Sequence, residues 1–236
     1  MEVDPSIDPM SLWAALGHLT ATRPRLEQWQ DSRFRFAHEI GRLLAGNTPD
    51  TPAVTGAVLY GVYLSGTGLA YVGQTQNAQR RLRDLPIGES HHIATTIPPE
   101  IWERVIVVQW SGLLQLTSPR QHDQVNTLGS MICGLALEHL LQVRRRPPLN
   151  ARTRTSAGQW RMRNSGRSRS RGARSASEFA ELFELVEQEW NALEATPLPQ
   201  SQADDFRVIR DYGRVVFPSM ILKAIPNLWS SPGYPA

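Results

Sequence analysis

With 236 residues, 41% of them hydrophobic, and a formal net charge of only +3, the chain has room for one domain of about 100–150 residues plus substantial extensions. No run of about 18 apolar residues offers a membrane span. The opening MEVDPSIDPMSLW puts acids and prolines where a secretory signal would put basic and then apolar residues, so a cytoplasmic protein with no membrane partner is expected.

Residues 1–53 read as a helical N-terminal extension. SLWAALGHL and PRLEQWQDSRFRFAHEIGRLLAG carry apolar residues at helical spacing, with Pro24 in a first turn and Gly46 at a C-cap. Residues 54–150 form the expected core. AVLYGVYLS and LAYVGQT are rich in β-formers and joined through GTG, which predicts a hairpin. QNAQRRLRDL predicts a short helix, PIGESHHIATTIPP a loop, and WERVIVVQW a third, central strand. SGLLQLTSPRQHDQ reads as a loop leading into one long helix around VNTLGSMICGLALEHLLQVRRR, stopped by Pro147 and Pro148. The order β-β-α-β-α predicts an α+β fold: a small three-stranded antiparallel sheet flanked by helices, with extensions at both ends. Cys133, the one cysteine, excludes an intrachain disulfide and a cysteine-built zinc cluster, and its apolar surroundings mark a buried thiol.

Of the 25 basic residues 24 are arginine, which suits phosphate through its planar fork. Eight of these arginines, and no acid, lie in residues 151–175, whereas residues 178–194 hold six acids. The low apolar content of 151–175 predicts a flexible basic arm, and such a block suggests a polyanion partner. A solvated linker is the plainer reading. Residues 176–236 read as an amphipathic helix followed by an irregular tail laid over the surface. Phe179, Leu182, Phe183, Val186, Trp190 and Leu193 share one face of that helix, and Ser175 with Glu178 has capping-box spacing.

Two features of the core carry chemistry. A three-residue GTG loop would place Tyr63 opposite Tyr71, two phenols on one face of the sheet. That pair is either a packing contact or half of a site. Ten residues beyond Tyr71, Arg81 can return toward the same end of the sheet, while a solvated helix face is the default for any single arginine. Glu138 interrupts the row Leu128, Met131, Leu135, Glu138, Gln142 on a helix that reads as apolar nearly all round and buried. A buried carboxylate needs either an ion pair or a cation.

In order, GVY (61–63), YVG (71–73), Arg81, Glu138 and Asn150 resemble the GIY-YIG nuclease superfamily. The resemblance covers residues 57–150, and the twelve-residue step from Glu138 to Asn150 is similar to that of its excision-repair branch. It implies hydrolysis of DNA phosphodiester bonds. Tyr63 would be the base or positioner for water, Tyr71 a second positioner, and Arg81 the holder of the scissile phosphate. Glu138 would anchor one Mg²⁺ or Mn²⁺ per site. Gly61, Gly73 and Asn150 would support the fold. Extra grip on DNA would come from Arg80, Arg83, Arg152, Arg154, Arg161, Arg163, Arg167, Arg169, Arg171 and Arg174, with Trp160 stacking on an unpaired base. Cutting both strands would favour a homodimer. Two positions depart from the pattern: Gln74 stands where a lysine or small residue is common, and Leu85 where some members carry histidine. His91 and His92 in the adjacent loop are not assigned a role. The terminal extensions favour a stand-alone restriction or defence enzyme; repair or mobile-element nucleases and a non-catalytic DNA binder on a degenerate core are the alternatives.

Overall fold

The computed structural model describes residues 17, 21–46, 53–64, 67–88, 93–99, 102–150, 156, 157, 159, 170–197, 208–210 and 214–218. Among them, no helix is long and apolar enough to cross a membrane. The fold is α+β and its sheet is antiparallel throughout. Strand β1 (Val58–Leu64) pairs with both β2 (Gly68–Thr75) and β3 (Trp102–Val108). Its side chains are buried on both faces, as a central strand of β-branched and aromatic residues requires. This is the expected three-stranded unit. Two short strands, β4 (Val208–Arg210) and β5 (Arg214–Pro218), extend it on the β3 side in the order β2-β1-β3-β5-β4. Residues 208–210 and 214–218, expected in an irregular tail over the surface, instead join the sheet, because β3 presents a further edge to pair with.

Helices cover both faces. One face packs against α4 (Pro119–Leu128), α5 (Ser130–Arg145) and α7 (Ala180–Glu194), burying Leu59, Tyr63, Val72, Ile106, Leu137, Phe183 and Trp190. The other packs against α1 (Arg23–Ala45), α2 (Ala78–Asp84) and α3 (Ile93–Thr96), burying Val58, Tyr60, Val62, Leu82, Leu85 and Phe36. Helix α1 keeps the expected bounds, with proline in its first turn and Gly46 at its C-cap. Phe179, just before α7, and the five apolar positions expected on one face of α7 are buried, so this helix is a wall of the core.

Four local expectations are corrected. The segment before Val125 is not a loop: a 3-10 turn (Trp110–Leu116) leads to Ser118, whose side chain caps α4 by accepting from the Gln121 amide. The expected single long helix is broken at Gly129, where φ is +84° and the chain turns between α4 and α5. The last five residues of the expected basic arm are helical, α6 (Arg171–Ser175), and Gly172 lies against the Leu135 carbonyl, too close for any side chain. The Ser175–Glu178 capping box does not form. Ser175 makes no side-chain cap bond, and Glu178 Oε2 instead accepts from Gln124 Nε2 at 2.8 Å, which ties the start of the C-terminal helices to α4.

The hairpin register decides the site. Val62 pairs with Tyr71 but Tyr63 pairs with Leu69, which leaves Ala70 as an extra residue on β2. The Leu149 amide donates to the Ala70 carbonyl at 2.9 Å, so the bulged residue's backbone is satisfied from outside the hairpin. A bulge shifts the side-chain alternation by one. Leu69 therefore packs into the Tyr63 core, while Tyr71 packs on the opposite face beside Tyr60.

Candidate active site at the edge of the sheet

Tyr63 and Tyr71 are not the facing pair expected: the bulge puts them on opposite faces of the sheet. Tyr63 lies under α7, 3% exposed, where its hydroxyl accepts a hydrogen bond from Trp190 Nε1 at 2.7 Å. Burial, with the Glu194 carboxylate nearby, pushes its phenol well above the ordinary value of 10, and the Trp190 bond only partly offsets this. Tyr60, at 1%, is buried at least as deeply, so what separates the two phenols is the set of groups each one meets. Gly61 belongs to the same contact: any β-carbon there would collide with the Trp190 indole and with Leu69. The first glycine and tyrosine of GVY thus serve the docking of α7.

The phenol that shares a face with Tyr71 is Tyr60. Its ring lies 6.1 Å from that of Tyr71, tilted by 39°. It also lies over Gly73, where a β-carbon would come within 2.6 Å of both its Cζ and Oη; the second signature glycine is what admits the phenol. Burial pushes the Tyr60 phenol well above its ordinary value, and Tyr71 adds to this through its charge and a hydrogen bond. Arg81 pulls in the other direction and Glu138 opposes ionisation, so both charges reach this hydroxyl. The Tyr71 phenol on β2 and the charges of Arg81 on α2 and Glu138 on α5 are thereby all felt at the Tyr60 hydroxyl.

Each is positioned by local chemistry. Arg81 sits on α2, whose start is fixed by Asn77: its Oδ1 accepts from the Arg80 amide at 2.9 Å, and Thr75 Oγ1 accepts from the Asn77 amide at 3.1 Å. Glu138 is half-buried, not fully buried as the sequence suggests, because the row it belongs to faces outward. Met131, two turns earlier, is 44% exposed. Gln142, one turn later, donates to Glu138 Oε1 at 3.0 Å and fixes the carboxylate's orientation. Asn150 is buried and clamps β2: its Oδ1 accepts from the Val72 amide at 3.0 Å and its Nδ2 donates to the Val72 carbonyl at 2.8 Å. Because β2 is an outer strand, this clamp satisfies edge groups between the two signature positions Tyr71 and Gly73.

The remaining candidates divide. Arg80 is largely exposed. Arg83 is partly committed: its Nε lies 3.0 Å from Asp84 Oδ1, and its stem covers Gly41 of α1. Arg171 and Arg174 are exposed on α6. Arg152, Arg154, Trp160, Arg161, Arg163, Arg167 and Arg169 lie outside the described residues, as do His91 and His92. Leu85 is 1% exposed in the core and offers the site nothing polar. Gln74 leans toward α5 at Gly134, and Gln76 Oε1 accepts from Ser130 Oγ at 2.7 Å, so both glutamines tie β2 to α5. The Cys133 thiol is pushed up to about 12 by burial, as expected of a structural cysteine.

No group of three or more histidine, cysteine or acidic side chains is placed to hold a metal among the described residues. A single half-buried carboxylate oriented by Gln142 fits Mg²⁺, which is commonly held through one or two carboxylates plus substrate phosphate and water. Tyr60 was legible as a candidate in one respect. Tyr60 and Tyr63 stand an odd number of residues apart on a strand, so only one of them can share a face with Tyr71. No protein-family model, curated protein or solved structure matches the chain.

Proposed function

We propose that this chain is a metal-dependent endonuclease that hydrolyses DNA phosphodiester bonds, with Tyr60 in the role its sequence suggested for Tyr63. The observation that carries the reading is that Tyr71, Arg81 and Glu138 all act on the Tyr60 hydroxyl beside an outer strand. A phosphate held by the Arg81 guanidinium would have its developing negative charge offset in the transition state. A divalent cation on Glu138 would add Lewis-acid polarisation of the same phosphate.

The raised Tyr60 pKa keeps the phenol neutral at neutral pH. At 1% exposed it does not meet bulk water itself and acts through its hydrogen bond to Tyr71, which is half-buried toward solvent. In this scheme the water oxygen forms the new bond to phosphorus and one bridging P–O bond breaks. The water proton passes to Tyr71 as the Tyr71 proton leaves to solvent, with Tyr60 holding the Tyr71 oxygen in place. The departing oxygen takes a proton from solvent. Restriction or genome defence is the setting we favour; repair and mobile-element roles share this chemistry.

The test is cleavage of labelled single- and double-stranded DNA in Mg²⁺, Mn²⁺ or EDTA by wild type and Glu138→Ala. Cutting that needs the cation and falls by about 10²-fold or more in the variant is expected. Salt-sensitive binding without cutting, equal in both proteins, would replace the enzyme with a DNA-binding protein on a degenerate core.

A further inference from the structure

Asp84 ends α2 in a place that does not suit an acid. It lies in the last turn, where the helix carbonyls disfavour negative charge, and its side chain is only 7% exposed. Two arginines of the same helix answer it. Arg83 Nε donates to Asp84 Oδ1 at 3.0 Å, and Arg80 Nε lies 3.9 Å from Asp84 Oδ2. One carboxylate thus takes a guanidinium on each oxygen, in both cases through the inner nitrogen. Among the described residues neither guanidinium has a further hydrogen-bond or ion-pair partner, and the Arg80 and Arg83 side chains are 76% and 44% exposed.

Arg83 is held a second time. Its stem fills the space over Gly41 of α1, where a β-carbon would come to 3.2 Å from Arg83 Cδ. Gln79 Nε2 donates to the Gly41 carbonyl at 3.3 Å, so one point on α1 braces both the helix and the arginine.

From this geometry we infer that Asp84 is a positioning residue for DNA binding: it holds Arg80 and Arg83 side by side as a clamp for a backbone phosphate next to the one at Arg81. Engaging only Nε leaves the two outer nitrogens of each guanidinium fork for phosphate oxygens. The two arginines are neighbours one turn apart, with about 5–6 Å between β-carbons, and Arg81 stands beside Arg80 on the same helix. An arginine already fixed by a carboxylate loses less freedom when it meets phosphate, and that is what the buried acid contributes. Charge alone predicts the opposite sign for Asp84. A carboxylate beside a phosphate repels it, so neutralising a mere bystander would tighten binding, whereas neutralising the residue that sets the clamp weakens it. The choice of DNA as the polyanion, and of Arg81 as the holder of the cut phosphate, rests on the proposed function.

The experiment measures binding of the full chain to a short fluorescent duplex by anisotropy, in EDTA, across about 50 to 200 mM salt, with a thermal melt of each variant. Asp84→Asn keeps the shape and removes the charge; it should lower affinity about threefold to tenfold even though it removes a negative charge. The Arg80→Ala/Arg83→Ala double variant should make the slope of log affinity against log salt shallower by about two, with affinity at low salt down about tenfold. Asp84→Asn added to that double variant should weaken binding no further. Equal or tighter binding by a folded Asp84→Asn would overturn the inference. So would an unchanged slope in the arginine double variant, or a further loss when Asp84→Asn is added to it. If Asp84→Asn does not fold, Arg80→Lys/Arg83→Lys decides. It keeps both charges without the forks, so affinity should fall about threefold at the wild-type slope, and undiminished affinity would overturn the inference. If wild type cuts DNA but Asp84→Asn binds as well or better, this inference fails alone. If the binding pattern holds but no DNA is cut, the nuclease reading fails alone.

Discussion

On one side of β1, the Tyr63 phenol is sealed beneath α7 with Trp190 donating to it; on the other, the Tyr60 phenol lies beside Tyr71 and over Gly73, where it feels the opposed charges of Arg81 and Glu138. Burial raises both phenols, yet their neighbours differ in kind. Around Tyr63 a single indole N–H and a carboxylate hold a helix to a sheet. Around Tyr60 a cation and an anion from separate helices meet a second phenol next to an outer strand. Burial alone therefore does not tell the two tyrosines apart; the kind and variety of the groups each one meets does.

The comparison can be broken most forcibly from the structural side. Trp190→Ala would empty the space above Gly61 and orphan the Tyr63 hydroxyl. A loss of about 3–5 kcal/mol in urea unfolding is expected, with residual cutting in step with the folded fraction. A stable variant that had lost activity specifically would place Trp190 in the catalytic half instead. Asn150→Ala sharpens the other half: it removes both bonds to Val72 and should cost about 1–3 kcal/mol, with faster hydrogen exchange at the Val72 amide than at strand β3. Unchanged exchange there would contradict the clamp.

A smaller effect concerns pH. Both phenols titrate above 10 when folded and near 10 when unfolded. The unfolded chain therefore loses these protons first as pH rises, so their contribution to stability is complete below about pH 10 and is lost as pH climbs toward the folded values. Tyr63→Phe removes one of the two groups, and should make the decline in urea stability between about pH 9 and 11 shallower than in wild type. A decline of equal steepness would show that the Tyr63 shift is not linked to folding.

Much of this architecture was legible because it depends on local pattern. The apolar β1 and β3, the helix opened by Pro24, and the α7 face from Phe179 to Leu193 all follow from periodicity and end signals. Arg81, Glu138 and Asn150 were named from a motif whose elements do form in that order. What escaped depends on pairing over distance. The bulge at Ala70 is stabilised by Leu149, nearly eighty residues on, and nothing within the hairpin's own sequence marks it. That one extra residue exchanges the faces of Leu69 and Tyr71, and so exchanges Tyr60 for Tyr63. The strands at 208–210 and 214–218 are too short to stand out by alternation and form against the edge of β3. Gly129 reads as a tolerable helix interruption until its positive φ turns the chain.

The most direct measurement is single-turnover cleavage of duplex DNA in Mg²⁺ by Tyr60→Phe beside Tyr63→Phe, each with a thermal melt to confirm folding. Loss of about 10²-fold or more in Tyr60→Phe, with Tyr63→Phe within a few-fold of wild type, is the predicted result. Full activity in Tyr60→Phe with loss in a folded Tyr63→Phe would contradict the assignment and return the chemistry to the α7 side of the sheet.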